Sequence, residues 1–138
     1  GQWEAMARLC ERSPLPIALD EELIGVNHFT DKMDLLKTIS PQYVVLKPSL
    51  VGGFAGAQEW LDAARACGVG WWITSALESN VGLNAIAQWT ATLPVTMPQG
   101  LGTGALYTNN VPSPLEQERN VLRYNPGKEW LFSMNSWK

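Results

Sequence analysis

Four short apolar runs, separated by stretches of helical spacing, constrain this chain more than any other feature. The runs are residues 16–19 (PIAL), 43–46 (YVVL), 70–74 (GWWIT) and 95–97 (VTM). They are apolar at consecutive positions and do not alternate with polar residues, so both faces of each strand are expected to be covered. Between them lie segments with apolar residues three and four apart. The first helix spans residues 2–12, with Trp3, Met6, Ala7 and Cys10 on one side, and Ser13-Pro14 stops it. A second, capped by Asn27 or Thr30, runs to about Ser40 with Phe29, Met33, Leu36 and Lys37 along one side; Pro41 closes it. A third covers residues 55–67, with Gly68 as its C-terminal cap. A fourth covers residues 80–91 and ends at Leu93-Pro94. Strand and helix therefore alternate, which is the pattern of an α/β fold whose parallel sheet is joined by crossover helices. Two architectures satisfy it: an open doubly wound sheet, and part of a (β/α) barrel. Beyond Gly100 the pattern dissolves, apart from a strand at residues 121–124 (VLRY).

Composition narrows the function classes. Of the 138 residues, 46% are hydrophobic and 17% charged, enough apolar material for a core and too much for a disordered chain. The net charge of −3 comes without any cluster of Lys or Arg, so nucleic acid is not an expected partner. No apolar run approaches the roughly 18 residues that cross a membrane. The opening Gly1-Gln2-Trp3-Glu4 has neither the basic region nor the apolar stretch of a signal peptide, and a cytoplasmic protein is expected. Gly1 in place of an initiator Met suggests a piece of something longer. Cys10 and Cys67 read as reduced, partly buried thiols. With His28 as the single histidine, a His-rich metal site is excluded; any metal must be held by carboxylates, which favours Mg²⁺ over Zn²⁺.

In either architecture a site lies at the carboxyl ends of the strands. Asp20-Glu21-Glu22 follows the first run and Lys47-Pro48-Ser49 the second. Ser75 follows the third, with Glu78-Ser79-Asn80 opening the next helix, and Gln99-Gly100 with the Gly-rich GLGTG follows the fourth. Each has a plain structural reading beside the functional one. Acids before a helix suit its dipole. Lys47 could be a solvated loop residue, and Ser79 or Asn80 could simply cap a helix. Gly52-Gly53 lacks the surroundings of a phosphate-binding loop. Trp71 and Trp72 point to opposite faces of their strand and read as packing residues. What favours function is the collection of polar groups at the same end of every strand.

The strings PIALDEELIG, VVLKPSLVGG, WWITSALESNVGLNAIAQ and MPQGLGTG occur in order over roughly residues 13–110. They resemble the o-succinylbenzoate synthase family of the muconate lactonizing subgroup of the enolase superfamily. An acid ending one strand, then Lys-Pro-x-x-x-Gly-Gly ending the next, then an SxxES-type turn is far more specific than any one motif. The resemblance implies the C-terminal half of an enolase-type (β/α)7β barrel, with about four parallel strands placed as the fifth to eighth. Residues 1–110 would form that half barrel, and residues 111–138 a tail returning toward a capping domain. Asp20 matches one of three carboxylates that hold Mg²⁺, and Lys47 the lysine ending the sixth strand. Ser75, Glu78, Ser79 and Gly100 fall in turns beside the substrate.

The implied reaction is a syn dehydration of a cyclohexadiene carboxylate to o-succinylbenzoate, in menaquinone biosynthesis. The family's other two carboxylates and its Lys-x-Lys base have no counterpart before Asp20. The implied chain is thus a fragment, inactive alone, whose uncovered half barrel self-associates. Two alternatives are a dipeptide epimerase or N-acylamino-acid racemase of the same subgroup, and a non-catalytic flavodoxin-like binding module.

Overall fold

The computed structural model describes residues 2–131. The chain divides into two compact units, with the division after Thr74.

The first unit runs α1 (Gln2–Arg12), β1 (Ala18–Leu19), α2 (Phe29–Ile39), β2 (Tyr43–Leu46), α3 (Gly53–Cys67), β3 (Gly70–Ile73). Single 3-10 turns at Glu21–Leu23 and Pro48–Leu50 follow β1 and β2. The three strands are parallel and lie in the order β1-β2-β3. The chain thus steps across the sheet in one direction without reversing. Because parallel crossovers are right-handed, an unreversed order puts α2 and α3 on the same face. They pack against each other, and α3 packs on both β2 and β3. This matches part of a (β/α) barrel, in which no connection reverses direction. A flavodoxin-like sheet reverses its strand order and carries helices on both faces.

The register divides the sheet cleanly. Leu19 pairs with Val44 and Val44 with Trp71, while Leu46 pairs with Ile73. Side chains alternate along a strand, so these five residues share one face. Leu19, Val44, Leu46 and Ile73 are fully buried there, on the face that α3 covers with Ala57, Trp60, Leu61, Ala63 and Ala64. The other face carries Ala18, Tyr43, Val45, Gly70 and Trp72. The Tyr43 and Trp72 rings lie 5.9 Å apart on it. Gly70 is required there, since a Cβ at that position would stand 2.5 Å from the Tyr43 ring.

Two local expectations change in α2. His28, not Asn27 or Thr30, occupies the N-cap position, and it makes no side-chain cap bond. The buried face is Lys32, Leu35, Leu36 and Ile39, while Phe29 and Lys37 are exposed. The helical spacing was legible, but a hydrophobic stripe overlooks a lysine placed in it. Lys32 is only 1% exposed because its apolar stem packs inward and its ammonium finds partners on α3. Nζ lies 2.7 Å from Glu59 Oε2, 3.3 Å from the Gly56 carbonyl and 5.7 Å from the centre of the Trp60 ring. Gly68 ends α3 as expected, with φ +68° and its N–H donated back to Ala64 and Arg65.

The second unit holds α4 (Asn80–Ala91), a 3-10 turn at Gly104–Leu106, and an antiparallel hairpin of β4 (Leu115–Glu118) and β5 (Val121–Tyr124). The expected strand at residues 121–124 is present, with an unexpected partner. The expected fourth parallel strand at residues 95–97 is not: the parallel sheet has three strands among the described residues. Pro94 and Pro98 bracket that run and remove a donor on each side. Val95 turns its N–H back to the Leu93 carbonyl at 2.8 Å, and Val95 and Met97 are exposed. The part of the expected tail at residues 132–138 lies outside the described residues. Glu116 on β4 meets Lys128 Nζ at 2.6 Å and accepts from Asn125 at 3.1 Å; these bonds hold its carboxyl below the usual range.

Both described cysteines are free thiols, and burial pushes the Cys10 thiol up. Less thiolate at a given pH means slower attack on a disulfide. Cys10 in the folded chain is therefore expected to react with a disulfide reagent near pH 8 more slowly than free cysteine, and to match it in denaturant. Replacing Glu59 with Ala removes the charged partner of a buried ammonium. It is expected to lower stability by about 1–3 kcal/mol in urea titration. An unchanged midpoint would mean that the Gly56 carbonyl suffices for Lys32.

Candidate functional site

Two polar side chains meet where β1 and β2 end. Asp20 directly follows β1 and opens the Glu21–Leu23 turn. Lys47 directly follows β2 and opens the Pro48–Leu50 turn, with Pro48 at its first position, where a missing N–H costs nothing. Both chains thus leave the sheet in tight single turns, and the two side chains are held at the strand ends. Continuing the register by one residue sets Asp20 level with Val45, on the face opposite the helices. Lys47 is two residues beyond Val45, so it shares that face. Lys47 Nζ lies 2.9 Å from each Asp20 carboxylate oxygen, across 27 positions of sequence.

The neighbours of this pair are specific. The Asp20 N–H donates to Glu22 Oε2 at 3.1 Å, so Glu22 is turned back onto the backbone of the turn. Glu21 is exposed. Behind Lys47, Gly52 and Gly53 take φ of +94° and +70°, the left-handed region where a side chain would be strained. That doublet is a required turn. Gly56 completes it, since a Cβ there would stand 2.0 Å from the Val51 carbonyl oxygen. Nothing in the sequence singled out Gly56; its signal is visible only once α3 is folded against the turn.

The second unit gathers the other expected site residues into a network of its own. Ser75 is buried; its hydroxyl shares a short hydrogen bond with the Thr103 hydroxyl and accepts the Leu77 N–H at 3.2 Å. Leu77 has φ +65°, unusual for a non-glycine residue. Glu78 lies over Gly82, where a Cβ would stand 2.8 Å from the Glu78 Cβ. Ser79 is exposed and occupies the N-cap position of α4 without a side-chain cap bond. Gly100 is half-buried in the Gly-rich loop. Thr103 and Asn110 are additions. Thr103 stands in the GLGTG text already marked by its glycines, but Asn110 had no signal because the helix amide it binds is 30 positions away.

The donor set can be tested against a divalent cation. Mg²⁺ wants several oxygen ligands in near-octahedral geometry. Among the described residues there is no group of three or more His, Cys, Asp or Glu that could hold a metal ion. The Asp20 carboxylate is instead bound to an ammonium. These residues do not make a metal site by themselves; Asp20 can be one donor of a larger one.

The Asp20 and Lys47 side chains are 41% and 19% exposed, so their pair is screened and contributes at most about 1 kcal/mol to folding. Asp20→Asn and Lys47→Met are expected to shift the urea midpoint by no more than that amount. A loss of several kcal/mol in either variant would mark the pair as structural.

Comparison with known proteins identifies the family of the fold. The o-succinylbenzoate synthase of Desulfotalea psychrophila is 60% identical over 121 residues, which are 88% of this chain and 33% of that protein. The o-succinylbenzoate synthase of Mycolicibacterium smegmatis is 32% identical over 89% of this chain and 37% of its own length. The crystal structure of MenC from Desulfotalea psychrophila superposes with a TM-score of 0.83, over 88% of this chain and 34% of that one. Muconate lactonizing enzyme from Pseudomonas putida, 26% identical, gives a TM-score of 0.73 over 85% of this chain and 32% of its own. The chain spans about a third of the length of these relatives. The model of the enolase C-terminal domain-like family matches residues 1–127, and the chain belongs to that family.

Proposed function

We propose that this chain is the C-terminal barrel portion of an o-succinylbenzoate synthase, a lyase that dehydrates a cyclohexadiene carboxylate in menaquinone biosynthesis. The observation that carries the reading is the meeting of Asp20 and Lys47 at the carboxyl ends of adjacent parallel strands, on the face the helices leave open. The 60% identity to a synthase of that name favours this substrate over those of an epimerase or racemase.

The chemistry explains the residue types. A proton next to a carboxylate is weakly acidic, and its removal makes an enediolate with two negative oxygens. Lys47 stands at the strand end as a fixed cation facing that charge, and such preorganised charge lowers the barrier where charge develops. Its tether to Asp20 keeps the ammonium in place. A divalent metal, when bound, supplies a Lewis acid for the same oxygens. Asp20 would be one of its carboxylate donors, and Mg²⁺ the preferred ion. Ser75, Glu78, Ser79 and Gly100 belong to the loops that would contact substrate. Lys47 is the catalytic residue of this portion, and the base that takes the proton belongs to the remainder of the enzyme.

No described helix is long and apolar enough to cross a membrane. A cytoplasmic location, with a small carboxylate and neither nucleic acid nor lipid as partner, suits the reading. The sheet face bearing Tyr43, Val45 and Trp72 is apolar, and we propose that the 138-residue chain alone covers it by self-association.

The test is turnover by the full-length protein that carries this chain, assayed on the cyclohexadiene carboxylate beside dipeptide and N-acylamino-acid substrates. Dehydration is expected to dominate, to require a divalent metal, and to fall by about 10³-fold or more in Lys47→Ala. Faster epimerisation or racemisation than dehydration would transfer the assignment to those enzymes. The 138-residue chain alone is expected to show no turnover, and to sediment at micromolar concentration as more than a monomer.

A further inference from the structure

α4 begins without a cap from its own sequence. Ser79 stands at the N-cap position but gives the helix no side-chain bond. The first helical amide is instead taken up from far along the chain: the Asn80 N–H donates to Asn110 Oδ1 at 2.7 Å. The same oxygen accepts the Val111 N–H at 2.8 Å. The other end of the Asn110 carboxamide, Nδ2, donates to the Gly104 carbonyl at 3.0 Å. Oxygen therefore faces two N–H groups and nitrogen faces a carbonyl, which fixes the orientation of the amide. Asn80 returns the connection by donating its own Nδ2 to the Val111 carbonyl at 2.7 Å.

This arrangement seats the Gly-rich loop. A Cβ on Gly104 would stand 2.9 Å from both Asn80 Oδ1 and Leu83 Cδ2, so the loop lies close against α4 and a side chain there would push on both. Thr103, the next residue back, shares its hydroxyl hydrogen bond with buried Ser75. A continuous set of contacts thus runs from Asn110 through Gly104 and Thr103 to Ser75. It ties the loop of residues 100–104 to the turn that follows β3. A single carboxamide uses its acceptor on the helix and its donor on the loop, and an alanine can do neither.

We propose that Asn110 is a positioning residue for the substrate loops: with Asn80 it locks residues 100–104 against the start of α4 and so fixes Ser75 and Gly100. The significance of those loops for substrate rests on the synthase reading above; the lock itself does not. Asn110 touches no reacting group. Its effect is on how well the loops are preorganised, and loops that hold substrate without touching the reacting bond are read in KM more than in kcat.

The experiment compares wild type, Asn110→Ala and Asn110→Asp in the full-length protein, below the melting temperature of every variant. It reads kcat and KM for the dehydration, and backbone amide exchange across residues 100–104. Asn110→Ala is expected to raise KM roughly tenfold, with kcat changed less than about threefold, and to speed exchange in the loop. Asn110→Asp keeps the acceptor for the Asn80 and Val111 amides and loses only the bond to Gly104. Its carboxylate would face the Gly104 carbonyl, so it is expected to keep the helix cap yet raise KM and speed loop exchange as Asn110→Ala does, and wild-type KM and loop protection in Asn110→Asp would overturn the lock. A lowered melting temperature with KM within about twofold of wild type and unchanged loop exchange would make Asn110 merely structural. If wild type itself fails to dehydrate the substrate, the synthase reading falls. Loop exchange still decides the lock in that case, and unchanged protection in Asn110→Ala overturns it.

Discussion

The parallel register of β1, β2 and β3 is the constraint on which the site depends. Once Leu19, Val44 and Trp71 lie in one row, alternation assigns every other side chain. One face receives Leu19, Val44, Leu46 and Ile73 and is sealed by α3. The opposite face receives Tyr43, Val45 and Trp72, and at the strand ends Asp20 and Lys47. A slip of one residue in β2 would turn Lys47 toward α3 and bury Tyr43 among the helices. The hydrophobic effect therefore fixes the geometry of the candidate site indirectly: burying the aliphatic row on one face is what presents the charged pair on the other.

Loops then hold what the register has aimed. After β2, the turn at Pro48–Leu50 and the left-handed Gly52 and Gly53 bring α3 back at once, with Gly56 giving the clearance. After β1, Glu22 ties the turn to the Asp20 backbone. In the second unit side-chain amides and hydroxyls do this work, since Asn80, Asn110, Thr103 and Ser75 connect segments distant in sequence. Tight backbone turns near the aspartate–lysine pair and side-chain locks around the Gly-rich loop are two solutions to one demand. Both hold side chains in place in segments without regular secondary structure.

The buried lysine of α2 shows why helix faces cannot be read from hydropathy alone. Lys32, Leu35, Leu36 and Ile39 follow ideal three-and-four spacing, yet the lysine disguises the stripe and draws attention to Phe29 and Met33. Its burial makes sense only with Glu59 and the Gly56 carbonyl in position, and both belong to the next helix. The run at residues 95–97 is the opposite case. Its composition is β-prone, but flanking prolines and a local Val95 to Leu93 hydrogen bond leave it no strand to join.

The sequence by itself determined the alternation of strands and helices, the ends of α1 and α4, and the left-handed cap at Gly68. It also placed Asp20 and Lys47 at strand ends. These are local matters of spacing, turn chemistry and composition, and they need no knowledge of distant partners. Tertiary structure alone decided that Asp20 and Lys47 meet at 2.9 Å, that α2 and α3 share a face, that Lys32 is buried, and that Asn110 caps α4. The hydrogen bonds and ion pairs among these join residues more than 20 positions apart. A contact between distant segments is set by which surfaces are buried together, and that is fixed only when the whole sheet and its helices close on one another.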